Sequence, residues 1–263
     1  MTSAIKSLLT GSLALALLAG LWGLADDARA APPPPVYDWS GWYAGASFGY
    51  GFGQDDITIS PVSPGSFLRI GFVSPQLGVS PQGVLGGVQV GKNWQSGNFV
   101  YGFETDFSRS GIRGDVVGPV TTFFQFRTTH SQTLDWFGTL RARAGFALME
   151  RTLIYATGGL AYGRAGLSSI SLSLLRNACG NTIDFCAIGD SKQWKAGWTV
   201  GTGFEYAVSS NWSAKLEYLY YDLGTVTNAM TDILINPDEF RGAGAVKGNI
   251  VRVGVNYRFG MVR

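Results

Sequence analysis

The segment Arg252-Val253-Gly254-Val255-Asn256-Tyr257-Arg258-Phe259 alternates without a break. In a strand, successive side chains point to opposite faces. Val253, Val255, Tyr257 and Phe259 therefore share one face, and Arg252, Gly254, Asn256 and Arg258 the other. In water the apolar face would need a core to cover it. In a membrane barrel it meets lipid, while the polar face lines the lumen. No segment after residue 30 is long and apolar enough for a membrane helix. A membrane location then requires a closed barrel, because only helices and closed barrels satisfy their backbone groups in lipid.

The same alternation recurs upstream. Strands are expected at about 42–52, 84–94, 99–107, 133–148, 152–163, 193–208 and 212–223, with an eighth beginning near Lys247. Trp42, Trp94, Trp136, Trp194, Trp198, Trp212, Tyr218 and Tyr257 fall on outward faces, and so does Leu134. The faces of 152–163 are left open. Turns of three or four residues alternate with stretches of about 20 to 30 residues, which are uncommon in compact soluble domains. Short periplasmic turns with long extracellular loops are what an outer-membrane barrel shows. The expected fold is all-β: an eight-stranded antiparallel up-and-down transmembrane barrel, occupying 41–263.

The chain start fits export. Lys6 supplies a positive segment, Leu8 to Leu24 an apolar one, and Ala28-Arg29-Ala30 the small residues of a cleavage site, so 1–30 reads as a signal peptide. Residues 31–40, with prolines 32–35, read as an extended periplasmic lead-in. Charged residues make up only 14% of the chain and glycine contributes 37 residues, which suits many strands with one face in lipid. A net charge of +2 argues against a nucleic-acid partner. In an exported chain Cys179 and Cys186 read as a local disulfide. Two thiols and a single His do not make a metal site.

Parity collects charges inside the barrel. The acids are Glu104, Asp106, Asp135, Glu205 and Glu217. The bases are Arg141, Arg143, Lys195, Lys215, Arg252 and Arg258. Eight strands enclose just enough room for side chains to fill, so this set reads as a paired network plugging the lumen, with Glu104 and Asp106 facing Arg141 and Arg143. The competing reading is a narrow, low-conductance path for ions or small solutes. No cofactor is expected. Haem capture would have His130 and loop residues such as Met230 as its poor ligand set. His130-Ser131 names no catalytic set either, because an orienting acid is missing, so the chain does not read as an enzyme. Lys92 lies on the lipid face beside Trp94, where snorkelling to headgroups is the ordinary explanation.

Two resemblances add to this reading. The segment carrying Arg252, Gly254, Tyr257 and Phe259 resembles the C-terminal signal by which bacterial outer-membrane barrels are recognised for insertion, which implies the barrel assembly machinery as a partner. Here four further residues follow Phe259. Over roughly 39–259 the chain resembles the small porin-like outer-membrane barrels, of the surface-antigen type, found in alpha-proteobacteria. The resemblance is carried by Trp39-Ser40-Gly41-Trp42-Tyr43-Ala44-Gly45, Leu134-Asp135-Trp136-Phe137-Gly138-Thr139-Leu140-Arg141, Tyr155-Ala156-Thr157-Gly158-Gly159-Leu160-Ala161-Tyr162-Gly163 and Glu217-Tyr218-Leu219-Tyr220-Tyr221-Asp222-Leu223-Gly224. It implies residence in the outer membrane of a Gram-negative bacterium, among outer-membrane lipid and lipopolysaccharide. An envelope-integrity and surface-display role is also implied, with any surface ligand unspecified.

Overall fold

The computed structural model describes residues 37–62, 73–121, 125–174, 186–232 and 239–259. The signal-peptide segment, most of the lead-in and Cys179 lie outside the described residues. The strands are β1 (Gly41–Phe52), β2 (Asp55–Pro61), β3 (Gln76–Val79), β4 (Gln82–Ser96), β5 (Phe99–Val117), β6 (Phe126–Leu148), β7 (Thr152–Ser173), β8 (Cys186–Ala207), β9 (Trp212–Asp232) and β10 (Glu239–Phe259). Eight of them close an antiparallel ring in the order β1-β4-β5-β6-β7-β8-β9-β10, and β10 returns to β1. The closing register pairs Ala44 with Tyr257 and Phe48 with Val253. The other two strands form a hairpin beyond the end of β1. There β2 takes over as neighbour of the upper part of β10, and β3 pairs with β2.

Outward faces carry the apolar residues that parity assigned to them. Trp42, Trp94, Trp194, Trp198, Trp212, Tyr218 and Tyr257 are exposed, and Trp136 stacks on outward Phe107 at 5.2 Å. Lys92 lies over Trp42 and Trp94, its Nζ 5.3 and 5.0 Å from their rings. The ammonium thus keeps aromatic faces for company at the lipid boundary. The turns at Gly97 (φ 60°) and Met149 (φ 58°) are tight.

Two expectations need correction. The long stretches between strands are largely β structure themselves. β5 to β10 run for 19 to 23 residues, whereas a membrane strand needs only about 9–11. The wall therefore continues as a hydrogen-bonded tube beyond the lipid. Outward residues along that tube turn charged at Arg109, Arg113, Asp115, Arg127, Arg164 and Arg241.

The second correction is one of phase. A register shift between Leu134 and Trp136 places two residues where the neighbouring strand has one, and the faces of β6 swap there. Leu134, expected outside, is buried within the tube. Asp135, expected inside, instead reaches Lys192 at 3.1 Å, and both side chains are partly exposed. The faces of β9 swap at Gly224, whose φ of 75° belongs to the left-handed region that glycine enters without strain. β7, whose faces were left open, turns Leu153, Tyr155, Thr157, Ala161, Ala165 and Leu167 inward.

Candidate functional site: the barrel interior

The interior is layered. At the periplasmic end Trp39, Val100, Ala147, Leu153, Tyr155 and Ala207 form an apolar floor. The chain ahead of β1 is folded against it: the amide of Tyr37 donates to the Glu150 carbonyl at 2.8 Å and that of Trp39 to Gln95 Oε1 at 2.7 Å.

Above the floor lie the charges. Glu104, Asp106, Glu205 and Glu217 share the lumen with Arg141, Arg143, Lys215 and Arg252, all buried. Arg141 donates to Glu104 at 2.6 Å, to Glu217 at 2.9 Å and to Asp106 at 3.2 Å. Arg252 reaches Glu217 at 2.6 Å and Asp106 at 3.0 Å. Arg143 reaches Glu205 at 2.7 Å, and Lys215 reaches Glu104 at 2.8 Å. Four acids meet four bases, so the cluster is neutral.

The bridges cross the lumen as well as following the wall. Lys215 sits opposite Glu205 in the β8–β9 register, yet its ammonium goes to Glu104 on β5. Arg141 on β6 reaches β9, and Arg252 on β10 reaches β5. Glu104 does face Arg141. Arg143, expected to serve the β5 acids, has its short contact with Glu205 instead and comes within only 3.6 Å of Glu104.

Two inward tyrosines complete the layer. The Tyr43 hydroxyl donates to Glu104 at 2.9 Å and accepts from Arg143 at 2.8 Å. The Tyr155 hydroxyl donates to Glu217 at 3.0 Å. The Arg143 guanidinium lies between the two rings, 4.0 Å from that of Tyr155 and 5.6 Å from that of Tyr43. Room for these rings comes from glycine: a Cβ at Gly91 would strike the Tyr43 ring and one at Gly203 the Tyr155 ring. Thr139 and Ser213 donate to Asp106 and Glu205, each at 2.5 Å. Sequence reasoning named neither tyrosine as a site residue. The signal for Tyr43 was available, since it is the one large polar side chain among Gly45, Ser47 and Gly49 on the inward face of β1.

Three of the charges assigned to the network stand apart from it. Asp135 pairs with Lys192 on the outside, as above. Lys195 is half-exposed and has no ion pair among the described residues. It lies where the β8–β9 ladder is interrupted between Ile188 and Trp198, a gap crossed by side-chain bonds from Gln193 to the Thr227 carbonyl and from Asn228 to that of Gly189. Arg258 stands at the periplasmic rim, donating to the Ser210 carbonyl at 2.8 Å and stacking 4.5 Å over Tyr37.

An apolar layer covers the charges. It includes Ile112, Leu134, Phe137, Leu219, Tyr221, Leu223 and Ile250, with Phe137 and Tyr221 in ring contact at 5.0 Å. Beyond it, in the extramembrane tube, His130 is fully buried and its Nδ1 lies 2.7 Å from Ser169 Oγ. Burial holds its imidazole near a pKa of about 4. Met230 packs nearer the outer end with Ile59, Phe126 and Phe240. Of the insertion-signal residues, Tyr257 and Phe259 contact each other edge-on outside at 5.2 Å, whereas Arg252 belongs to the charge layer and Gly254 lies opposite Ser47. Cys186 is buried at the start of β8.

A closed antiparallel ring with an apolar outer belt and a polar interior defines a transmembrane β-barrel. The chain belongs to the outer membrane protein beta-barrel domain family, whose model matches residues 14–259. It is 35% identical, over 97% of its length and all of the relative's, to the 31 kDa outer-membrane immunogenic protein of Brucella melitensis. It is 29% identical to the 22 kDa outer membrane protein of Rhizobium leguminosarum, over 74% of this chain and 69% of the relative. Its fold resembles that of the outer membrane protein OprG from Pseudomonas aeruginosa, with a TM-score of 0.54 at 13% identity, covering 86% of this chain and 99% of that one. The protein resides in the outer membrane of a Gram-negative bacterium.

Proposed function

We propose that this barrel is a sealed element of the envelope and a scaffold for surface display, and that it neither conducts nor catalyses. The observation that carries this reading is the neutral set of cross-lumen ion pairs beneath an apolar layer. A permeating ion would have to shed water and separate buried pairs, and breaking one such pair costs several kcal/mol. The immunogenic relatives in Brucella support exposure at the surface. His130 is bonded to a serine and not to an acid, which suits a buried polar pair better than a general base. The reading includes export through a cleaved signal at 1–30, the lead-in at 31–40 and insertion directed by the Arg252, Gly254, Tyr257 and Phe259 signal.

Planar-bilayer recording of the purified protein tests the proposal. The expected result is no reproducible conductance steps in 1 M salt. A steady ohmic conductance would make the barrel a narrow pore instead. Titration with haemin provides the companion test, and no spectral change is expected.

A further inference from the structure

The outer edge of the lipid-facing belt carries a row of alternating cations and indoles. In register, Arg109 on β5 pairs with Trp136 on β6, Trp136 with Arg164 on β7, and Arg164 with Trp194 on β8. Arg109, Arg164 and Trp194 are exposed. The Arg109 guanidinium lies 4.7 Å over the Trp136 ring.

The height of the row follows from the strands. Arg109 lies ten residues beyond the start of β5, and Arg164 twelve beyond the start of β7. At about 3.3 Å per residue and a tilt of about 40°, both stand roughly 25–30 Å above the periplasmic turns. That is the outer margin of an apolar band about 25 Å tall, where lipid headgroups begin.

Neither arginine has a carboxylate partner among the described residues. The acid adjoining Trp136 on the intervening strand, Asp135, is taken by Lys192, and Asp106, three residues before Arg109, points into the lumen and pairs there. Farther out, Arg113 is neutralised by Asp115 at 2.8 Å. Two unpaired guanidiniums thus face outward, roughly 10 Å apart across two strand spacings, where the indoles fix their depth.

We propose that Arg109 and Arg164 clamp the phosphates of an outer-leaflet glycolipid headgroup, that of lipopolysaccharide, with Trp136 and Trp194 packed against its sugars and upper acyl chains. Guanidinium suits phosphate because its fork donates two parallel charge-assisted hydrogen bonds. The span of the pair suits a headgroup phosphorylated at both ends better than a single phosphodiester.

The test is native mass spectrometry of the detergent-purified full chain with bisphosphorylated lipid A, dephosphorylated lipid A and phosphatidylglycerol, with inorganic phosphate as competitor. R109Q/R164Q should bind bisphosphorylated lipid A about ten- to thirty-fold more weakly than the unaltered protein. The R113Q/R127Q control, altered farther out, should bind it normally. Dephosphorylated lipid A should bind the unaltered protein as weakly as the intact lipid binds R109Q/R164Q, an arm that needs no variant to fold. Unchanged affinity in R109Q/R164Q, or equal binding of dephosphorylated lipid A, would overturn the proposal. Equal binding of phosphatidylglycerol would overturn the glycolipid assignment. Displacement of the lipid by equimolar inorganic phosphate would show a free-anion site instead.

Discussion

Removing Arg141 puts the sealed interior to its most direct test. In R141A the cluster loses its bonds to Glu104, Glu217 and Asp106 and keeps four acids against three bases. Two routes to the cost agree. Stranding one partner of a buried pair typically costs about 3–5 kcal/mol. The cluster can instead bind a proton. At pH 7, protonating a Glu of ordinary pKa about 4.3 costs about 2.7 pH units, or roughly 3.7 kcal/mol. At pH 5 the same proton costs only about 1 kcal/mol. R141A should therefore lose about 4 kcal/mol at pH 7 and regain most of that loss relative to the unaltered protein by pH 5. Urea-dependent folding into lipid vesicles, followed by tryptophan fluorescence, measures both values. R141M/E104Q, which removes one charge of each sign, should recover much of the stability at pH 7. A loss below about 1 kcal/mol at pH 7, or one that does not change with pH, would show that the pairs do not hold the interior together.

Other outcomes follow from the same geometry. His130, with its pKa near 4 against an ordinary value of about 6.5, stays neutral in the fold where the unfolded chain binds a proton. Its contribution is thus lost as pH falls from 6.5 towards 4, about 2 kcal/mol at pH 5. Asp55, whose only ion-pair contact among the described residues is a long one of 3.9 Å to Lys247, has its pKa raised by burial to about 6, which works in the opposite sense by adding stability as pH falls through 6. Hydrogen exchange in the outer tube should accordingly show H130Q gaining protection on acidification relative to the unaltered protein, and D55N losing it. Gly203→Ala should cost about 1–3 kcal/mol by overpacking against Tyr155, measurable as a lower unfolding midpoint. Iodoacetamide should label Cys179 and Cys186 only after reduction, and labelling without reductant would exclude the disulfide.

The membrane half of this barrel was legible because lipid imposes a simple rule on it. Every outward residue from Trp42 to Phe52 must tolerate hydrocarbon, and parity then hands the other face to the lumen. The outer half obeys a different rule. From Arg109 on β5 the outward face turns polar, while Ile112 and Leu134 point into the tube. The lipid-facing pattern therefore ends although the strands do not, and the remaining residues read as loop. Asp135 and Leu134 were misplaced for a local reason, since one extra residue in a strand shifts the phase of everything before it. Glu104, Arg141, Glu217 and Arg252 were visible as lumenal charges. Their partners were not, because side chains as long as Arg and Lys reach across the ring and are not bound to the strand opposite. Lys195 and Arg258 show the complementary error, in which correct parity at the margins leads to solvent and not to the cluster.

The reach of those side chains also bears on how the ring is made. Arg141 needs acids from β5 and β9, Arg252 needs acids from β5 and β9, and Lys215 on β9 needs Glu104 on β5. Four of the short bonds, Arg141–Glu217, Arg143–Glu205, Lys215–Glu104 and Arg252–Asp106, join strands that are not neighbours in the ring. A sheet that had assembled β5 to β7 would carry two carboxylates and two guanidiniums without the partners that β8, β9 and β10 supply from across the lumen, and water would have to take their place. Closing the seam between β1 and β10 brings the last base into place. Completing the ion-pair network and sealing the wall are then one cooperative step, and an incomplete barrel is kept wet, and so out of the lipid, by charged groups whose partners lie on strands not yet brought across from them.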